Sequence, residues 1–216
     1  MRKTFLAITL FLAFSKAALA QFGNCTASEM RTYVDSATGN TITMLTDTMK
    51  NDRFLYQTDP MWTADGKYLL FRSSSRGNDK EVESTLPNGE KRKWTPTQIY
   101  FIEMATGKII QATEGPNLGS AFLANKTNRM FVSRKEKENW NMYVMDLNKF
   151  FADVKQGKVG KPSAYETFIG TFPTEMGRPG GYAVDCNDDY AYITVEREGT
   201  EEEKERMMKK RFPARK

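Results

Sequence analysis

The sequence contains no histidine among its 216 residues and only two cysteines, Cys25 and Cys186. The lack of histidine excludes a nucleophile triad that uses an imidazole as its base. Two cysteines so far apart do not have the ligand spacing of a zinc site, and no glycine-rich phosphate loop is present. These absences exclude the three classes of site that depend on such patterns.

Apolar runs are short, and the longest, residues 4–14, lies near the N-terminus. It follows a basic pair, is too short to span a bilayer as a helix, and precedes the small-residue segment 18–20. Residues 1–20 therefore predict a secretory signal peptide and export to the periplasm or the extracellular space, with no membrane span after cleavage. The alternatives are a short buried helix or a lipoprotein anchor on Cys25, although the residues before Cys25 lack the usual small-residue pattern.

The excess of positive charge is confined to the two ends of the chain. The formal net charge is +5, and residues 1–20 carry three basic residues and no acidic one, which leaves +5 − 3 = +2. Residues 196–216 hold eight basic and six acidic residues, which accounts for that +2. The body is therefore formally neutral, and no basic stripe predicts a nucleic-acid partner.

Export would expose the two cysteines to an oxidising compartment, where disulfides persist. A bridge between Cys25 and Cys186 would tie the N-terminal segment to the last part of the body. Two cysteines alone do not decide between this bridge and free thiols.

A polar turn followed by an apolar run occurs three times. Phe71 and Phe131 lie 60 positions apart in the first two runs, and Tyr192 lies 61 positions further on in the third. A fixed period above 40 residues with several strands per unit is typical of propeller blades. A closed propeller needs 4–8 blades, whereas this chain has room for about three.

Other patterns fill in the repeats. Residues 31–46 predict two strands around the turn 36–40. The segments 60–63, 67–72, 98–102 and 108–113 predict the four strands of a first blade. Strands are predicted for the second blade at 121–123, 129–133 and 141–147, with a short helical insert at 149–155, and for the third at 181–184 and 190–195. The tail 196–216 has helix-start and ion-pair spacings.

The predicted fold class is therefore all-β: an incomplete β-propeller of four-stranded antiparallel blades, plus a C-terminal helix. Its domains are a signal peptide (1–20), a partial propeller (21–195) and a charged helical tail (196–216).

The repeat carries a family resemblance. Residues 60–73 read PMWTADGKYLLFRS, which resembles the repeat of TolB-like propellers. Together with residues 45–46, 51–57 and 75–77, this segment narrows the resemblance to one family. Roughly residues 31–197 resemble the N-terminal part of oligogalacturonate lyases. The resemblance implies about three blades of a seven-bladed propeller, and β-elimination on short pectin fragments.

The resemblance also implies a histidine base and a manganese site in the complete protein. Phe54 stands where a histidine is expected in many relatives, and none of the family's base or metal ligands can be carried over to this chain. We therefore expect no cofactor in this chain and no lyase activity from it alone.

A set of arginines predicts a binding surface for an acidic oligosaccharide, because the planar guanidinium group binds a carboxylate through two parallel hydrogen bonds. In an up-and-down blade, the connections between blades and the loops after second strands share one face. The predicted substrate-binding residues in these segments are Arg53, Tyr56, Gln57, Arg72, Arg76, Arg134, Lys135 and Arg178. Trp94 is a candidate for stacking on a sugar ring, while Trp62 is interpreted as a core residue, and Asp59, Asp65 and Asp146 as turn residues.

Two other interpretations stay open. The chain could be a non-catalytic TolB-like module for a glycan or an envelope protein. It could also lack a stable fold, because an open array of sheets leaves exposed edges.

Overall fold

The computed structural model describes residues 22–77, 81–85, 89–172 and 178–196. The predicted signal peptide and most of the predicted C-terminal helix, 197–216, lie outside the described residues. The described part is mainly antiparallel β-structure with one α-helix, as the sequence predicts. None of the helices in it is long and apolar enough to cross a membrane.

The first sheet has the strand order β1-β9-β8-β5-β4. Its strands are β1 (Cys25–Thr26), β4 (Asp52–Arg53), β5 (Tyr68–Ser73), β8 (Gln98–Glu103) and β9 (Ile109–Gln111). This is one strand more than the predicted blade, because β1 pairs with β9. The predicted strand at 60–63 is wrong: Trp62 forms only an isolated bridge with Leu69, and β4 pairs with β5 beside it. Trp62 is 47% exposed at this edge, so its interpretation as core is also wrong.

The second sheet has the order β10-β11-β12-β13. Its strands are β10 (Leu118–Leu123), β11 (Arg129–Glu136), β12 (Asn139–Asp146) and β13 (Glu166–Thr171). The sequence predicts the first three of these, but not β13. The described residues also form three separate two-stranded sheets: β2 (Arg31–Val34) with β3 (Thr41–Met44), β6 (Val82–Thr85) with β7 (Lys91–Trp94), and β14 (Arg178–Val184) with β15 (Ala191–Glu196).

The predicted helical insert is confirmed as α1 (Leu147–Gln156). Asp146 caps its N-terminus by accepting a hydrogen bond from the Lys149 amide, and Gly157 ends it in the left-handed conformation (φ 66°) that glycine adopts without steric cost. Leu147, Phe150 and Phe151 are buried. The Phe151 ring stacks on Tyr68 of β5 at 3.6 Å between centroids, so the helix fastens the second sheet to the first.

Apolar side chains pack between successive sheets. One cluster joins a face of the first sheet (Leu70, Ile99 and Phe101 among others) to Leu123, Met130 and Val132 of the second and to α1. A further cluster joins the other face of the second sheet to Tyr182, Val184 and Ile193 of β14 and β15. The sheets therefore stack face to face in chain order.

The repeated turns contact one another. The Asn128 side chain accepts a hydrogen bond from the Asp65 amide at 3.2 Å. The Asp188 carboxylate accepts bonds from the amides of Asn125, Lys126 and Thr127 at 2.7–2.8 Å. Each of these bonds links a repeat to the next one along the chain.

Asp65 is a turn residue, as predicted. Burial alone would raise the pKa of Asp65, but hydrogen bonds from the Thr63 hydroxyl and from Lys67 outweigh it and lower that pKa to about 2. Cys25 and Cys186 are both free and exposed, so the possible disulfide is not formed.

A candidate anion-binding cleft

A cleft opens where the core between the first two sheets ends. Tyr68, Leu70 and Arg72 alternate along β5, so their side chains share one face of the sheet. Tyr68 and Leu70 are buried in the core, whereas Arg72 is exposed. Arg53 of β4 lies directly opposite Arg72 in the strand register, and Ile99 of β8 lies opposite Arg72 on its other side. The two arginines therefore lie next to each other at the edge of the core.

The cleft has a volume of about 640 Å³ and three walls. The first sheet and its flanking segments form one wall, the β6–β7 hairpin another, and β10 of the second sheet the third. The lining residues are Asn51, Arg53, Arg72, Ser74, Ser84, Arg92, Trp94, Thr95, Thr97, Ile99, Leu118, Ser120 and Ala121.

The charges that line this cleft are all positive. Arg53, Arg72 and Arg92 contribute three guanidinium groups, and no carboxylate is among the lining residues. Within the described residues these three arginines form no ion pair. Like charges directly opposite each other on neighbouring strands are destabilising. The Arg53–Arg72 pair is therefore an arrangement that a bound anion would stabilise.

The other lining groups suit a hydroxylated anion. Serine and threonine hydroxyls and the Asn51 amide can both donate and accept hydrogen bonds. Trp94, which is 38% exposed, presents an aromatic surface. Guanidinium forks bind carboxylates through two parallel hydrogen bonds. Together these groups can bind a sugar that carries carboxylates.

Arg76 lies elsewhere, in an ion-paired cluster with Glu29 and Asp52. Its guanidinium donates to the Glu29 carboxylate at 2.9 and 2.6 Å and to the Asp52 carboxylate at 2.8 and 2.5 Å. Its side chain is only 6% exposed. The hydrogen bonds from Arg76 lower the pKa of Glu29, and burial opposes that shift only partly. Arg76 therefore joins three segments of the chain rather than lining the cleft.

Arg134 is also ion-paired. It lies on β11 and donates two hydrogen bonds of 2.8 Å to Glu166 of β13, across the intervening strand β12. Its guanidinium also lies over the Tyr143 ring, 5.5 Å from the centroid. Lys135 points to the exposed Glu138 at 3.9 Å. Neither residue lines the cleft.

The structure therefore brings together two of the eight predicted binding residues, Arg53 and Arg72. Tyr56 is 67% exposed and Gln57 lies in an exposed turn, both outside the cleft lining. Arg178 begins β14, and its side chain lies outside the described part of the chain. Whether any of these residues binds a ligand stays a prediction.

Sequence reasoning missed Arg92. The segment 82–94 has no apolar alternation, so its sequence does not predict strands. The signal that could have revealed a hairpin is the Asn88-Gly89 pair, because Asn-Gly favours the tightest hairpin turns.

Two of the solved structures that resemble this chain are oligogalacturonate lyases. An oligogalacturonate lyase in complex with manganese matches with a TM-score of 0.53 and 20% identity, over 78% of this chain and 36% of that one. An oligogalacturonate lyase from Vibrio parahaemolyticus matches with a TM-score of 0.52 and 21% identity, over 77% of this chain and 35% of that one. The chain shares its fold with oligogalacturonate lyases.

The resemblance inferred from the sequence is therefore confirmed at the level of the fold. The chain spans about a third of the length of the lyases it matches. No protein-family model matches the sequence, and neither does any curated protein.

The residues present do not fit the manganese that one of these lyases contains. The sequence offers no imidazole. In the described ranges no group of three or more cysteine or carboxylate side chains is placed to hold a metal ion.

Proposed function

We propose that this chain binds acidic oligosaccharides of the oligogalacturonide type in the cleft lined by Arg53, Arg72 and Arg92, and that it does not cleave them by itself. The observation that carries the proposal is the pair Arg53 and Arg72, opposite each other in register and without acidic partners in the described structure. The lyase fold of the neighbouring structures supports a uronate as the anion.

The chemistry of elimination supports the proposed absence of cleavage. Removing the proton next to a uronate carboxylate requires a general base with a pKa near the working pH. Histidine meets that requirement most directly, and the chain has none. The arginines can neutralise the carboxylate, but an arginine does not give up its proton in a protein.

The architecture belongs to the same proposal. The three successively stacked sheets, linked turn to turn with a step of about 60 residues, support an interpretation as consecutive blades of an incomplete propeller. We also propose that residues 1–20 direct export, which would bring the cleft into contact with pectin fragments outside the cytoplasm.

Calorimetric titration with trigalacturonate at low salt tests the binding proposal. We expect saturable binding that weakens as salt is added, because the attraction depends on exposed charges, and no binding of maltotriose, which is neutral. Changing Arg72 or Arg53 to alanine should lower the affinity for trigalacturonate at least about tenfold. Arg129→Ala is a matched control, because Arg129 is also an exposed arginine on a strand. It is the first residue of β11 and does not line the cleft.

Three results would overturn the proposal. The first is the absence of trigalacturonate binding at low salt. The second is an affinity for trigalacturonate in the Arg53 and Arg72 variants that equals the affinity of the unmodified chain. The third is accumulation of unsaturated uronate products, seen as new ultraviolet absorbance, which would show that the chain is a lyase.

A further inference from the structure

The β6–β7 hairpin has two chemically different faces. Its register pairs Val82 with Trp94, Glu83 with Lys93, Ser84 with Arg92, and Thr85 with Lys91. Directly opposed residues share a face, and faces alternate along each strand. One face therefore carries Val82, Ser84, Arg92 and Trp94, and the other carries Glu83, Thr85, Lys91 and Lys93.

The first of these faces is directed at the cleft. Ser84, Arg92 and Trp94 all line it. The opposite face is in solvent, where Lys91 pairs with Glu83 at 2.8 Å while the two side chains are 70% and 44% exposed. The hairpin thus turns its aromatic ring inward, together with a guanidinium that forms no ion pair within the described residues.

Packing does not account for this orientation. The hairpin forms a sheet of its own, and none of its side chains belongs to the apolar clusters between the sheets. A two-stranded hairpin is only marginally stable alone. Its inward face holds the kinds of side chain, tryptophan and arginine, that contribute most at binding surfaces.

The cleft is also wide enough for more than one sugar unit. Its volume of about 640 Å³ lies within the range of pockets that hold drug-sized ligands, about 300–1,000 Å³. A single uronate ring is smaller than such a ligand, so a unit bound at Arg53 and Arg72 leaves room beside it, next to the hairpin.

We propose that the β6–β7 hairpin is a second binding wall that makes the cleft select oligomers over monomers. Trp94 packs against the ring of the unit next to the one held by Arg53 and Arg72, and Arg92 pairs with the carboxylate of that neighbouring unit. This inference rests on the proposed function and deepens it, because it assigns recognition of chain length to one element of the fold.

Titrations with galacturonate and trigalacturonate test the inference on four variants. Trp94→Ala and Arg92→Gln should each lower the affinity for trigalacturonate about five- to tenfold and leave the affinity for galacturonate unchanged. Lys93→Ala, on the solvent face of the same strand, should leave both unchanged. Arg72→Ala should lower both affinities. Matching thermal unfolding curves show that the variants fold.

A spectroscopic measurement covers the case in which the monomer binds too weakly to titrate. The indole N–H signal of Trp94, assigned by its loss in Trp94→Phe, should shift on saturation with trigalacturonate. An unshifted signal would overturn the inference.

The outcomes separate the two proposals. The Trp94, Arg92 and Lys93 variants could all bind trigalacturonate as tightly as the unmodified chain, while Arg72→Ala binds it more weakly. That result would overturn the role of the hairpin and leave the proposed function standing. No effect of Arg72→Ala, or no binding by the unmodified chain, would overturn the proposed function itself.

Discussion

The arginines within residues 53–76 have two different environments: Arg53 and Arg72 form one group, and Arg76 alone forms the other. Arg53 and Arg72 face the cleft without an acidic partner in the described structure. Arg76, four residues after Arg72, is held by Glu29 and Asp52. Asp52 itself precedes Arg53 on β4, so the same two-residue strand contributes to both groups.

The difference comes from the strand geometry. Arg72 shares its face of β5 with the core residues Tyr68 and Leu70, and so it points between the first two sheets. Phe71 points to the opposite face, and Arg76 lies over the Phe71 ring, 5.3 Å from the centroid. Residue type alone therefore does not identify a binding arginine, and the face on which it lies decides its role.

The largest expected effect is that of breaking the Arg76 cluster. Arg76→Met leaves two carboxylates, 25% and 9% exposed, without their cation, and removing one partner of a buried ion pair costs about 3 kcal/mol. Urea unfolding should show this loss in the free energy of unfolding. Arg92→Met, in the cleft, should change it by less than about 0.5 kcal/mol. If Arg76→Met and Arg92→Met lowered the free energy of unfolding equally, the distinction between the ion-paired arginine and the arginines of the cleft would be wrong.

Arg134 tests the same distinction between ion-paired and unpaired basic residues, and its neighbour Lys135 serves as the control. Arg134→Met should cost about 2 kcal/mol in unfolding free energy, because it leaves the carboxylate of Glu166, which is 4% exposed, without its hydrogen-bond donor. Its neighbour Lys135 forms only a long and exposed ion pair, and Lys135→Met should cost less than about 0.5 kcal/mol. A loss of less than about 0.5 kcal/mol in Arg134→Met would show that the fold accommodates Glu166 without its arginine partner.

The repeated turns should respond to acid. The pKa of Asp65 is lowered to about 2, so its contribution to stability is complete above its unfolded value and disappears as the pH falls through the folded one. Asp65→Asn should cost about 1 kcal/mol at neutral pH, after allowance for solvent screening. The difference from the unmodified chain should shrink between about pH 5 and pH 2. A difference that does not change with pH would mean that the Asp65 charge contributes nothing.

The smallest effect, with the opposite sign, is expected in the cleft. Arg53→Ser removes one of two facing positive charges, so it should raise the free energy of unfolding by a few tenths of a kcal/mol in low salt. The gain should vanish in about 1 M salt, where charges are screened over roughly 3 Å. Thermal unfolding at the two salt concentrations measures it. Destabilisation by Arg53→Ser would indicate that Arg53 has a structural partner.

Much of the fold could be predicted because its repeats carry strong local signals. The turns before Tyr68 and Arg129 are followed by apolar runs, and these runs are the strands β5 and β11. By contrast, β13 lies on an exposed edge, with Phe168 and Ile169 more than half exposed, and its short run has no clear alternation. The strand β1 is only two residues long and exists because β9 pairs with it.

The site was only partly predictable for a related reason. Arg53 and Arg72 follow from their position in the repeat, but their facing each other depends on the register between β4 and β5. The partners of Arg76 come from positions 24 and 47 residues earlier in the chain, and no local pattern reveals such pairs. The position of Arg92 in the cleft depends on the pairing of β6 with β7. The charged and polar residues of these two strands give no alternating apolar pattern from which to predict that pairing.

The hydrogen bonds that Asn128 accepts from the Asp65 amide, and that Asp188 accepts from the amides of residues 125–127, connect adjacent units. Such nearest-neighbour coupling makes the stability of a repeat array close to a sum of units and the junctions between them. A lineage could therefore gain or lose whole sheets by duplication or deletion, with the cost limited to a single junction. The cleft, built from the first two sheets and the β6–β7 hairpin, would be inherited intact through any such change further along the chain.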